Sequence, residues 1–448
     1  MIARERVESV LNLIRPAMRA DGGDIELLDV FGNGARVRLT GKCAGCPSAY
    51  MTLYAGVERA LRQEIADTCG SADAASFVDF ADWLRRLYLV EMPTFIDANF
   101  DSPLDLLASP RAAARLVRLG GFRRLGPVIR SRFRDERLHR LFSFQALYAG
   151  LPPARALALC AVITYMDTIE GVWFPDGGMD AVAAALAAAA ARAGAEVRLG
   201  TTVERILLDR RGAVAGVGLA GGEAVRADAV VCTLDLPTAY DRLLPQLRAP
   251  RAVRAGQYAP SAVVWHVGVR GLPDAQTAHH NIHFGADWDG AFDALVRDRT
   301  LMPDPSRLVT VPTVTEPDLA PDGCSVLYVL EPVPNLSGRV DWVREREPMR
   351  ERLQQFLHAN GYPTDVVTQQ LVTPLDWERM GMHLGTPFAL AHTFRQTGPF
   401  RPPNVERRVP GLFFAGSGTV PGVGLPMVLV SGKLAARRVA HYIPGSRR

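Results

Sequence analysis

The sequence predicts a mixed α/β (α+β) chain in two unequal parts. A small helix–hairpin–helix unit occupies residues 1–66. A larger body follows, in which a helical region and an antiparallel sheet accompany an α/β layer. Three observations predict this. Residues 2–18 place Val7, Val10, Leu11 and Ile14 at helical spacing, and the alternating segments 25–31 and 35–40 meet at Gly32-Asn33-Gly34, a hairpin signal. From residue 177 the pattern becomes helix, strand, hairpin, strand. Near the end, an apolar strand Gly411-Leu412-Phe413-Phe414-Ala415 stops at Gly416-Ser417-Gly418-Thr419 and turns through Pro421-Gly422-Val423-Gly424. It restarts as a helix from about Pro426 to Tyr442.

Each element can be justified in order. After the hairpin, residues 41–48 form a glycine- and cysteine-bearing loop, and a helix runs to about Ile65. Residues 67–75 are small and polar and read as a linker. Residues 76–170 are mostly helical by pattern, with amphipathic stretches at 77–84 and 135–142 and a short apolar run, Leu157–Met166. Residues 171–260 hold a helix at 179–192, strands at Glu196–Leu199 and Val203–Leu208, a hairpin at 213–226 and a strand at Ala229–Thr233. Residues 261–395 alternate like an antiparallel sheet up to about 335, with a helix near 342–359. Residues 396–448 contain the closing strand–turn–helix.

The 448 residues suffice for two or three domains, and 48% hydrophobic with 22% charged residues is ordinary for a globular protein. The net charge of +4 is small, and Lys42 and Lys433 are the only lysines. No basic stripe stands out, which argues against nucleic acid as a partner. The start, Met1 to Pro16, shows no apolar leader, and no run reaches the ~18 apolar residues of a membrane span. A cytoplasmic location is expected, with room for a peripheral contact on the inner face of the membrane. Cys69, Cys160, Cys232 and Cys324 lie singly and read as reduced thiols.

Some motifs carry chemistry and others only imitate it. Cys43 and Cys46 stand at CxxC spacing between the hairpin and a helix. Two thiolates can ligate one iron or zinc, but four ligands are needed, so a partner chain, a redox dithiol or idle cysteines all fit the spacing. Gly216-Val217-Gly218-Leu219-Ala220-Gly221 matches GxGxxG by letter. It lies inside a hairpin with no helix after it, so it lacks the helix N-terminus that a dinucleotide fingerprint needs. His279, His280 and His283 form HHxxH on alternating sequence, where neighbours point to opposite sides, so a shared metal is not expected. No acid–base pair is visible, and the catalytic residues are unknown at this level.

Two resemblances refine this picture. Val7-Glu8-x-Val10-Leu11, Ile14-Arg15-Pro16, Asp21-Gly22-Gly23-Asp24 and Leu39-x-Gly41-x-Cys43-x-Gly45-Cys46-Pro47-Ser48, with Thr52-Leu53, resemble the C-terminal domain of NifU-like (Nfu) iron–sulfur scaffold proteins over residues 3–65. That resemblance implies a [4Fe–4S] cluster bridged between two subunits by Cys43 and Cys46, a homodimer through this unit, and iron–sulfur acceptor proteins as partners.

From about 76 to 441 the landmarks run in order: Asp97-x-Asn99-Phe100-Asp101-Ser102-Pro103, Phe142-Ser143-Phe144-Gln145, Gly171-Val172-Trp173-Phe174-Pro175, Gln396-Thr397-Gly398-Pro399-Phe400-Arg401-Pro402 and the Gly416–Pro426 element. They resemble bacterial-type phytoene (carotenoid) desaturases and their FAD-dependent, amine oxidase-like relatives. The resemblance implies an FAD/NAD(P)-binding Rossmann-type domain beside a substrate domain, and hydride transfer from an apolar polyene to the flavin. It also implies a helical substrate- and membrane-facing region at 76–170, in which the run Leu157–Met166 is either the membrane contact or a core helix. Carried over residue by residue, Val203 lies by the adenine, and Gly416, Ser417, Gly424, Leu425, Pro426 and Met427 lie by the diphosphate, ribityl chain and isoalloxazine. Such families open with a strand, GxGxxG and a helix, which residues 1–75 do not contain. The sequence therefore leads us to expect half of a flavin site, weak or lost FAD binding and unpaired strand edges in the parallel layer. The alternative expectation is an iron–sulfur carrier with a non-catalytic desaturase portion.

Overall fold

The computed structural model describes residues 4–20, 22–31, 34–41 and 49–443. The N-terminal unit is helix α1 (Arg4–Ala20), an antiparallel hairpin of β1 (Gly23–Phe31) and β2 (Gly34–Gly41), and helix α2 (Ala49–Cys69). Leu11 and Met18 of α1 meet Ile25 and Leu27 of β1 in a small core of their own. The Arg15 guanidinium ties helix to hairpin, donating to the Ile25 carbonyl at 3.1 Å and to Glu8 at 2.6 Å. Cys43 and Cys46 lie outside the described residues.

The expected linker at 67–75 is replaced by helix. α2 runs to Cys69, and α3 (Ser71–Glu91) starts two residues later, the break falling on Gly70 at φ +97°. The physical reason is packing. α3 repeats Phe77, Phe80, Ala81, Trp83, Leu84 and Leu87 on one face, and Ile65 of α2 joins the same core. Phe80 sits 5.2 Å from the Phe133 ring and 4.9 Å from Phe142. The buried Asp73 carboxylate accepts the amides of Arg134 and Asp135, both at 2.9 Å, which fixes α3 on the segment that follows α4 (Pro110–Arg118).

The parallel layer is short. Helix α5 (Asp180–Arg192) buries none of its residues. The strand expected at Glu196–Leu199 does not form, and Leu199 is 88% exposed. A strand needs a neighbour for its amides and carbonyls, and among the described residues none lies alongside this segment. β3 (Val203–Leu208), β4 (Val214–Leu219) and β5 (Ala224–Arg226) form an antiparallel meander, so the GxGxxG letters at 216–221 span the end of β4 and its turn. β6 (Val230–Cys232) pairs in parallel with the closing strand and with no other described strand.

The antiparallel sheet has five strands. β7 (Ser261–Arg270), β8 (His280–His283), β9 (Arg307–Thr310), β10 (Cys324–Val333) and β11 (Asp365–Val372) stand in the order β11-β7-β10-β9-β8. Helix α6 (Trp342–Ala359) lays Trp342, Met349, Leu353 and Leu357 on the face carrying Val263, Trp265, Val267 and Val269. The chain closes with β12 (Leu412–Phe414) and helix α7 (Leu425–Tyr442). No helix of the described residues is long and apolar enough to cross a membrane.

Candidate functional site

The closing strand–turn–helix is built around one polar knot. Gly416 takes φ +120°, open to glycine alone at low cost, and its amide donates to Ser431 Oγ of α7 at 3.0 Å. The buried Asn404 amide lies within 3.2 Å of the Phe414 and Val420 carbonyls and of Thr419 Oγ1 and Ser431 Oγ. The buried Arg401 guanidinium donates to the carbonyls of Gln396, Thr419, Leu390 and Ser417. Its burial pulls its pKa down to about 9, opposed by Tyr258 and Asp235, so it stays charged near neutrality. These contacts hold the turn rigid from both sides.

The turn ends where α7 begins. Gly424 is its N-cap at φ +105°, no side chain caps the helix, and a Cβ on Gly424 would meet nothing within 4 Å. The uncapped end leaves the Leu425 and Met427 amides as orphan donors, Pro426 having no N–H, beside open space at Gly424. That space is a cavity of about 1080 Å³, walled by Phe95, Leu116, Phe144, Leu159, Ile163 and Phe388 among other apolar groups. Such a volume is at or above the ~300–1,000 Å³ of pockets that take compact small molecules. The residues present suit the ring end of a flavin: a left-handed glycine, free helix amides and apolar flanks at Val423, Leu425 and Met427.

Of the residues named from sequence, Gly424, Leu425, Pro426 and Met427 line the cavity. Gly416 and Ser417 lie behind it, in the turn that joins β12 to α7. Val203 opens β3 and is not on the cavity wall. The apolar run Leu157–Met166 is divided between the helical core and the cavity wall. Ala158, Ala161 and Tyr165 are buried in the helical core, and Leu157, Leu159, Cys160, Val162, Ile163 and Met166 line the cavity. His279, His280 and His283 bond three different partners: Thr315 Oγ1, Thr310 Oγ1 and the Tyr362 hydroxyl.

Of the ionisable side chains of the cavity, His280 was named from sequence, whereas Glu91, Asp167, Glu170 and His392 escaped that reading. Burial raises Glu91 well above the usual carboxylate range, and its Oε1 has no partner among the described residues. Burial raises Asp167 to about 6, opposed by hydrogen bonds from Thr168 Oγ1 at 2.8 Å and Gln145 Nε2 at 3.3 Å. Burial likewise raises Glu170, and burial with Arg401 nearby holds His392 well below the usual imidazole value. The available signal was a carboxylate placed directly after an apolar run, Met166-Asp167.

Comparison with known proteins agrees with this geometry. The family described as flavin containing amine oxidoreductase matches residues 37–440. The phytoene dehydrogenase of Streptomyces griseus is 46% identical over 445 residues, covering 97% of this chain and 81% of that protein. The zeta-carotene-forming phytoene desaturase of Myxococcus xanthus is 37% identical over 372 residues, covering 82% and 71%. The lycopene-forming phytoene desaturase of Pseudescherichia vulneris is 33% identical over 337 residues, covering 73% and 68%. Among solved structures, cyclohexylamine oxidase from Brevibacterium oxydans covers 97% of this chain and 86% of its own at 17% identity and a TM-score of 0.44. The family match begins inside the N-terminal unit, and neither it nor these relatives marks residues 1–66 as an iron–sulfur domain. The chain belongs to the flavin containing amine oxidoreductase family, as a phytoene desaturase-like member of it.

Proposed function

We propose that this chain is an FAD-dependent desaturase of phytoene-type polyene hydrocarbons. The observation that carries the reading is the apolar cavity of about 1080 Å³ ending on the Gly424–Met427 helix start. Desaturation removes a hydride and a proton from adjacent carbons, and the flavin, when bound, is the hydride acceptor. The chain's own part is to hold and orient the substrate and to exclude water. Aromatic and aliphatic walls at Phe95, Phe144, Phe388 and Leu159 gain roughly 0.8 kcal/mol for each CH₂ group they cover. With no polar handle on such a hydrocarbon, register along the cavity comes from shape. The test is to purify the protein, record its flavin absorption, and analyse the products formed from phytoene. Stoichiometric flavin with new conjugated double bonds supports the reading, and absence of both would refute it. An intermediate result, conversion with substoichiometric flavin, would support weak FAD binding.

We also infer a peripheral membrane contact, because the substrate class resides in lipid. Val172 and Trp173 line the cavity while being 80% and 67% exposed, and Phe122 and Phe394, 6.2 Å apart, are exposed on the cavity wall beside Arg123, Arg124 and Arg395. Apolar groups at a cavity mouth flanked by arginines suit an anionic lipid surface.

A second reading, an iron–sulfur role for residues 1–66, is supported by Cys43 and Cys46 within their motif and by the separate core of Leu11, Met18, Ile25 and Leu27. Anaerobic iron and sulfide determination tests it, with Cys46→Ala as the control. Iron in the parent that is lost in the variant supports a cluster bridged between two copies. A metal-free parent would leave the unit without that role.

A further inference from the structure

The cavity that would hold the hydrocarbon must also dispose of a proton, and this inference rests on reading it as the polyene site. Forming the new double bond breaks two C–H bonds. One leaves with its electron pair to an oxidant of the flavin class. The other releases only its proton, and its electron pair becomes the new π bond. In an apolar, water-poor cavity the proton needs a fixed acceptor.

Four kinds of side chain compete for that role on the cavity wall. Glu91 is buried, its Oε1 has no partner among the described residues, and burial pushes it toward the protonated form, which counts against its accepting a proton. The Cys160 thiol is pushed up to about 12 by burial, so it is already protonated. His392 is neutral, but burial and the nearby Arg401 charge oppose its becoming cationic. His280 is likewise lowered by burial and is tied to Thr310 Oγ1 at 2.9 Å. Glu170 sits at the more open side, bonded with Tyr88. Asp167 differs from all of these. It is surrounded by protein yet keeps accessible surface, and it lines the cavity that the Gly424–Met427 turn also lines. Thr168 and Gln145 donate to its two oxygens, which supports a carboxylate rather than the acid. The Tyr148 hydroxyl, the other ionisable group facing it, is raised by burial and by this carboxylate and stays neutral.

We propose that the Asp167 carboxylate is the proton acceptor of the desaturation, oriented by Gln145 and Thr168. The proton moves from the substrate carbon to a carboxylate oxygen, one C–H bond breaking as one O–H bond forms. Asp167 then returns the proton to solvent toward the open, Glu170 side of the cavity.

The test compares the parent with Asp167→Asn and Asp167→Glu in the whole protein. Lycopene, a coloured polyene, reports binding through its absorbance shift and needs no flavin. Infrared titration of the flavin-free protein reports the carboxyl itself. The expected result is lycopene binding within threefold of the parent in both variants. Phytoene conversion falls at least a hundredfold in Asp167→Asn and recovers to within about tenfold in Asp167→Glu. A protonated-carboxyl band titrating near pH 6 is present in the parent and absent from Asp167→Asn. Conversion by Asp167→Asn within threefold of the parent, or persistence of that band, would overturn the assignment while leaving the polyene site standing. A parent that binds no lycopene, or binds it and converts no phytoene, overturns the polyene reading and the proton step with it.

Discussion

Gly422 lies against His392 so closely that a Cβ on the glycine would stand 2.1 Å from the imidazole Cε1 and 2.4 Å from Nε2. Both residues belong to elements that border the cavity, and the glycine's φ of +150° is itself unfavourable for other residues. Gly422→Ala must therefore push His392 into the cavity or shift the turn. The expected outcome is a loss of roughly 1–3 kcal/mol of stability and a clear fall in lycopene affinity, read by urea unfolding and absorbance titration.

Arg401 is a second fixed point of the same turn. Its guanidinium satisfies four backbone carbonyls without a carboxylate bonded to it. Arg401→Ala leaves those carbonyls unpaired, and with about 1–3 kcal/mol for a buried unsatisfied group the expected loss is at least about 3 kcal/mol. Arg401→Lys should recover only part, because an ammonium cannot match the fork. Denaturant midpoints of the three proteins check this ordering.

Asp167 makes stability depend on pH in a direction opposite to a salt-bridged carboxylate. Its folded value is about 6, against 3.8 for the unbonded group. Between these values the folded chain holds a proton that the unfolded chain has released, so this group's contribution falls as pH rises through that window and stays low above it. Two units correspond to about 3 kcal/mol. Asp167→Asn should therefore be more stable than the parent by up to about 3 kcal/mol at pH 7.5 and equal to it below pH 4. Melting temperatures across pH 3.5–8 (a range set by roughly these two values) decide it.

The exposed pair Val172 and Trp173 gives the membrane inference a direct readout. Trp173→Ala should weaken sedimentation with vesicles containing anionic lipid, by the roughly 1.5–3 kcal/mol that a large apolar side chain gains on burial. Thermal stability should barely change. Equal sedimentation of parent and variant counts against this mouth as the contact.

How much of this was legible in the sequence follows from where the determining contacts lie. The turn at Gly416–Pro426 was readable because glycines and a strand-to-helix switch are local signals, and the sheet at 261–335 was readable from its alternation. The supposed linker at 67–75 was not, because small polar residues can continue a helix once Phe77 and Phe80 anchor its neighbour. Glu196–Leu199 reads as a strand by composition, but a strand is a property of a pair, and the partner is a matter of tertiary context. The cavity's carboxylates were hidden for a related reason. Glu91, Asp167 and Glu170 come from two separate stretches, and nothing in their spacing announces that they share a wall.

β7 divides the molecule like a party wall. Val263, Trp265, Val267 and Val269 serve the helix on one side, while Ala262 and Val264 look toward Phe388, which borders the cavity. Bore and scaffold are thereby under separate control along a single strand. Changes at the even positions can widen or narrow the room available to a chain-like guest, and the odd positions keep the seam with α6 unaltered.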